Sequence, residues 1–260
     1  MERVGPVPTG SSRRWSWTHV LILVLGAGAA WAWIADRSSG MGSMPGTMGM
    51  DAAAFMIMWT LMMTAMMLPS AAPFASMYAR TIVRHRSRRL TAFAAGYLVV
   101  WSAAGAPAYA LAWLSGEAAD AAPTLGTVVA VVIFAACGIY QLTPLKYRCL
   151  SQCRSPISQI VVVSSFQGPF RDIRAGLHNG RYCFGCCWSL MALMAAFGFM
   201  NLWAMVGLAA VVAVEKHWVR GAMFGRAVAA VAFGLAIGVI FEPGLAPGLD
   251  GAGSVIMAMG

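Results

Sequence analysis

Charge is what this chain lacks most. Only 10% of its 260 residues are Asp, Glu, Lys or Arg, against roughly 25% in a soluble domain, which excludes a water-soluble globule. Acidic residues are the scarcest, nine against eighteen basic ones. The resulting charge of +9 does not mark a nucleic-acid binder, because no basic stripe is interleaved with exposed aromatics as a single-strand groove requires. The motifs of covalent catalysis are missing as well. There is no G-x-S-x-G, no glycine-rich phosphate loop closing on Lys-Ser/Thr and no H-E-x-x-H, so hydrolase and phosphotransfer readings find no support and no ATP site is visible.

What the chain has is apolar length. It is 60% hydrophobic, in runs at 17–34, 53–79, 91–114, 125–142, 183–219 and 221–241. About 20 apolar residues cross a bilayer, so 183–219 is too long for one crossing and should fold as a hairpin breaking near 198–201. The expected fold is all-α, a polytopic transmembrane bundle of about seven spans, with six as the alternative count. The run at 17–34 carries Trp15, Trp17, Trp31 and Trp33 at its ends. That belt fits a retained span better than a cleaved signal peptide.

Positive charge fixes the orientation. The segment 80–90 holds five arginines, and 143–182 holds six Lys/Arg against one Asp. Both should be cytoplasmic. The N terminus, a basic tail over 1–16, is then cytoplasmic, the tail 243–260 lies outside, and the protein sits multi-pass in the cell membrane.

Sulfur is abundant, with 6 Cys and 19 Met. The Gly/Ser-rich outer loop 36–52 carries Met41, Met44, Met48 and Met50. A methionine on a hydrophilic loop gains nothing from packing, whereas its thioether remains a metal ligand in an oxidising compartment. In the second span Met62/Met66 and Met63/Met67 form i,i+4 pairs, each stacked on one helix face. Pro69 and Pro73 follow and should kink or open that helix. The M-x-x-x-M spacing resembles that of Ctr-type copper transporters. Met as a filler of irregular gaps is the competing reading.

On the inner side the ligands change to cysteine. RYCFGCCWSLMALM sets Cys183, Cys187, Met191 and Met194 along one helix face, with Cys186 beside them. Cys149 and Cys153 are i,i+4 in the cytoplasmic loop, and His178 lies between Gly176 and Gly180, where the backbone turns freely. Cys137 is an isolated packing thiol. Reduced thiols beside Lys146, Arg148, Arg154 and Arg181 should have lowered pKa values. Soft thiolates and thioethers select Cu(I), and thiolates alone also suit Zn(II). Glu215 and Lys216 read as an interfacial salt bridge, with Glu215 and His217 as secondary ligands.

GRYCFGCCWSLM, then GFMNLWAM and VEKHW, together with MWTLMMTAMMLPSAAPF in the second span, resemble the bacterial membrane family DUF2182. Its members are described as metal-binding integral membrane proteins and labelled copper chaperones. The resemblance covers about residues 50–220 and implies metal handling through Cys183, Cys186 and Cys187, with Met62, Met63, Met66 and Met67 as candidates.

The expected function is a Cu(I)-binding membrane protein that transports copper or delivers it to a cuproenzyme. Its partners are the bilayer, a copper chaperone or cuproenzyme and a further copy of itself, and nucleic acid is not among them. It is not expected to be an enzyme. The alternatives are a membrane thiol–disulfide oxidoreductase using C-x-x-C and a scaffold in which the sulfur is incidental.

Overall fold

A computed structural model describes residues 46–249, with Gly28 and Ala32 besides. The rest of the expected first span, Met41, Met44 and residues 250–260 lie outside the described residues. Helices follow one another as α1 (Ala52–Thr81), α2 (Arg86–Ala103), α3 (Gly105–Ala121), α4 (Pro123–Gln141), α5 (Pro144–Arg154), α6 (Pro156–Ser164), α7 (Arg171–Phe197), α8 (Leu202–His217) and α9 (Gly221–Phe241). Among the described residues there is no strand.

Local chemistry sets the helix starts. The Asp51 carboxylate accepts from the Ala54 N–H at 2.8 Å, and the Asn201 amide oxygen accepts from Ala204 at 3.1 Å. Each satisfies a donor that the first turn leaves without a partner. Proline opens α4, α5 and α6, the one place in a helix where its missing N–H costs nothing.

Five helical stretches are long and apolar enough to cross a membrane: Ala52–Thr81, Arg86–Ala121, Thr124–Gln141, Arg171–Phe197 and Gly221–Phe241. Ile57, Val128, Val132, Ile237 and Ile240 stand exposed on them, as side chains solvated by lipid do. The chain breaks between α7 and α8 at Gly198, whose φ of +92° suits glycine. The hairpin expected at 198–201 is therefore present, although α8, at 16 residues, is short for a crossing.

Two expectations about helix limits need correction. The stretch before Cys183 is not a loop, because α7 begins at Arg171, roughly three turns earlier. Gly176 and Gly180 there are not turn residues. A Cβ on Gly176 would lie 2.0 Å from the Phe93 carbonyl oxygen, and one on Gly180 would lie 2.9 Å from Val100 Cγ2. Between lipid-bathed helices the apolar drive to associate is weak, and small residues let backbones close instead. That contact makes α2 the closest companion of α7. Nor do Pro69 and Pro73 open α1, which runs unbroken through both.

Polar clamps complete the bundle. Arg89 donates to Asp172 through Nε at 3.0 and 3.1 Å and through Nη2 at 2.9 Å, and Tyr78 donates to the same carboxylate. Trp59 Nε1 donates to the Trp101 carbonyl at 2.8 Å. Beyond α9, Gly248 N–H donates to the Ala196 carbonyl at 2.9 Å, and Ala246 and Leu249 are buried. The start of the C-terminal tail thus packs against the end of α7.

Candidate metal centre

The cysteines of α7 face inward. Cys183, Cys186 and Cys187 are 3%, 0% and 1% exposed. Cys186 Sγ lies 3.2 Å from Cys187 Sγ and 3.7 Å from Cys153 Sγ on α5. All six cysteines are free thiols. Cys149, also on α5, reaches α7 at Gly185, where an added Cβ would sit 2.6 Å from its Sγ. The glycine inside C-F-G-C-C thus lets α5 lie close to α7, and Tyr140 donates to the Gly185 carbonyl. The i,i+4 alignment of Cys149 and Cys153 on one short helix is as expected.

The methionines share this core. Met62, Met63, Met66 and Met67 on α1 and Met191 and Met194 on α7 are all buried in the apolar cluster that contains the three α7 thiols. Met48 and Met50 do not stand free on a loop. They are half-buried and packed against the same cluster, so packing does reward them. His178 is not brought to the thiols; its ring meets Phe166 and Tyr182 edge-on, at 5.8 and 5.0 Å. Cys137 is buried among apolar neighbours.

The cations are arranged differently from the expectation. Glu215 and Lys216 do not pair, since adjacent helical residues point about 100° apart. Lys146 pairs with Glu215 instead at 2.7 Å, both side chains almost fully buried, and Gln141 bonds both. Arg154 donates to the Trp218 and Val219 carbonyls at 2.7 and 3.0 Å, while Arg148 and Arg181 are exposed. None of these four lowers Cys149; burial pushes that thiol up instead.

The cation that does meet a thiol is Lys216. Its Nζ donates to Cys183 Sγ at 3.0 Å and to Ser70 Oγ at 2.9 Å. Tyr97 Oη lies 2.8 Å from the same sulfur and 3.0 Å from the Met67 carbonyl, to which it donates. Sequence reasoning missed both Lys216 and Tyr97 here. Lys216, next to Glu215 at the end of the apolar run of α8, was the available signal, because a charge buried in an apolar segment requires a partner.

A cavity of about 220 Å³ is lined by Ser70, Tyr97, Cys153, Asn179, Cys183 and Lys216. His217, exposed, lines it too. Among the described residues no three His, Cys, Asp or Glu side chains are disposed as a preformed metal cage. The sulfurs are instead set in close pairs beside one cation.

The family model described as PpoB2, copper chaperone, matches residues 56–239. The chain belongs to this copper chaperone family, and its role is related to copper. No curated protein matches it. No solved structure matches it either.

Proposed function

We propose that this member of a copper chaperone family holds Cu(I) within its helix bundle and passes it to a cuproenzyme or another carrier. Copper is here the cargo. The observation that carries the reading is the grouping of Cys183, Cys186 and Cys187 with Cys153, where Cys153 and Cys183 line a cavity, in one core with seven methionines of α1 and α7. Thiolates and thioethers together favour Cu(I), since thioether is a poor ligand for zinc. A structural zinc site closes with four ligands, and paired sulfurs suit a metal content with fewer.

In this reading Met62, Met63, Met66 and Met67 supply a relay inside the bundle, and Met41, Met44, Met48 and Met50 collect the ion at the outer end. Cys149 and Cys153 serve as exit ligands at the cytoplasmic end. Thioethers stay competent where oxidants act, and thiols stay reduced in the cytoplasm, so this order of ligands matches an ion held or moved inward. The membrane is the cell membrane, with the arginine-rich 80–90 segment on the cytoplasmic side.

The 3.7 Å separation of Cys153 and Cys186 favours a second reading, dithiol–disulfide exchange. Metal content after anaerobic purification in detergent separates the two. Wild type loaded with copper should retain it, and the combined Cys183→Ser, Cys186→Ser and Cys187→Ser variant should lose it. Zinc retained in preference to copper, or no metal in either protein, would overturn the copper reading.

A further inference from the structure

We propose that Lys216 sets the charge of the ion the site accepts, making the thiol cluster selective for a monovalent over a divalent metal. The inference rests on the copper reading above and adds to it a residue that determines specificity. Lys216 is 8% exposed, and its ammonium is in direct contact with Cys183 Sγ and Ser70 Oγ. The Cys186 thiol lies 3.2 Å from the Cys183 carbonyl oxygen and 3.2 Å from Cys187 Sγ, so the ammonium stands at the edge of one connected group of three thiols.

The carboxylates nearby are already matched. Glu215 is taken by Lys146, and Asp172 by Arg89. Arg154 also lines the cavity, but it is half-exposed, held on the Trp218 and Val219 carbonyls and screened by solvent. Charge must therefore balance within the group formed by the thiols and Lys216.

Counting charge gives the selectivity. A metal bound by two cysteines is held by two thiolates, any S–H proton it displaces leaving for solvent along the cavity, and no electron is exchanged. Two thiolates and one ammonium sum to a single negative charge. A monovalent ion brings the buried group to neutrality. A divalent ion leaves one net positive charge in an apolar core, where an uncompensated charge is heavily penalised. Lys216 thus supports the anionic bis-thiolate complex of Cu(I) as its counter-ion and penalises the neutral bis-thiolate complex of a divalent ion. Ser70 and Tyr97 position the ammonium and the sulfur for that role.

The test compares Ag(I), a monovalent probe that needs no reductant, with Zn(II) in purified full-length protein. Affinities are read by competition at one pH. Wild type should prefer Ag(I), and in Lys216→Met the Ag(I)-to-Zn(II) affinity ratio should fall at least about tenfold. Lys216→Arg, which keeps the charge, should retain the wild-type ratio. Ser70→Asp cancels the ammonium charge without deleting the side chain, so it should move the ratio in the same direction and serves if Lys216→Met does not fold. A ratio unchanged in whichever of these folds, or a loss of affinity equal for both ions, overturns the inference while leaving the metal site standing. Wild type that binds neither ion overturns the copper reading itself, and this inference with it.

Discussion

Replacing Lys146 by Met tests how the site is held. Lys146 and Glu215 pair at 2.7 Å with side chains 2% and 1% exposed, and they tie α5 to α8. Removing the lysine leaves the Glu215 carboxylate buried, with the Gln141 amide at 3.0 Å as its remaining side-chain donor. Orphaning one partner of a buried pair costs about 3–5 kcal/mol. Removing both is different, because Lys146→Met with Glu215→Leu deletes the desolvation cost along with the attraction. That double variant still leaves the buried Gln141 amide, which bonded both partners, unpaired, so it should recover much of the loss and end within about 1–3 kcal/mol of wild type. The assay is reversible unfolding in mixed micelles, read as a double-mutant cycle. Glu215 also fixes the rotation of α8 that turns Lys216 toward Cys183. The single variant should therefore weaken metal retention along with stability, and the double variant, lacking that anchor, should regain stability more fully than retention. A single variant within about 0.5 kcal/mol of wild type would refute the argument, since ordinary surface changes are no larger.

Two glycines of similar sequence context should behave oppositely. Gly176→Ala places a Cβ 2.0 Å from the Phe93 carbonyl and should cost more than about 3 kcal/mol, or prevent assembly, because backbone cannot yield as a side chain does. Gly207→Ala meets no atom within 4 Å and should gain roughly 0.5–1 kcal/mol of helix propensity; unfolding midpoints of the two variants check both. For Cys149, burial raises the thiol pKa, so the folded state holds its proton more tightly than the unfolded chain. Its contribution to stability is complete below the ordinary thiol pKa of about 8.5 and is lost as pH rises through the folded value. Alkylation of Cys149, followed peptide by peptide against pH, should begin later than in the unfolded chain, and equal onsets would contradict the burial.

The apolar runs made most of the helices legible, and the break at 198–201 could be placed because a run of that length has to turn and carries Gly198 and Asn201 where it does. The inward face of Cys183, Cys186, Cys187, Met191 and Met194 was legible from spacing alone. The first half of α7 was not. Its polar residues, Asp172 and Asn179 among them, read as loop because their partners, Arg89 and the cavity, are distant in sequence. The spacing of Gly176 and Gly180 was the usable sign that this segment is a helix packed on another. Charge pairing was the least legible feature. Glu215 and Lys216 are neighbours in the chain and diverge in space, and the cation that meets a thiol is Lys216 and none of the four expected, because helix rotation decides it and composition does not encode rotation.

The packing of residues 246–249 against the end of α7 has a consequence for the order in which the protein is made. The Gly198 break lies far upstream of the segment that covers it, with α8 and α9 in between. Until Gly248 has emerged from the ribosome, the Ala196 carbonyl and the floor beneath Ala246 and Leu249 have no cover. The sulfur-bearing helix is thus synthesised early and locked late. Truncation before Pro243 would let every thiol insert while leaving the bundle unlatched at the end of α7 opposite its polar start.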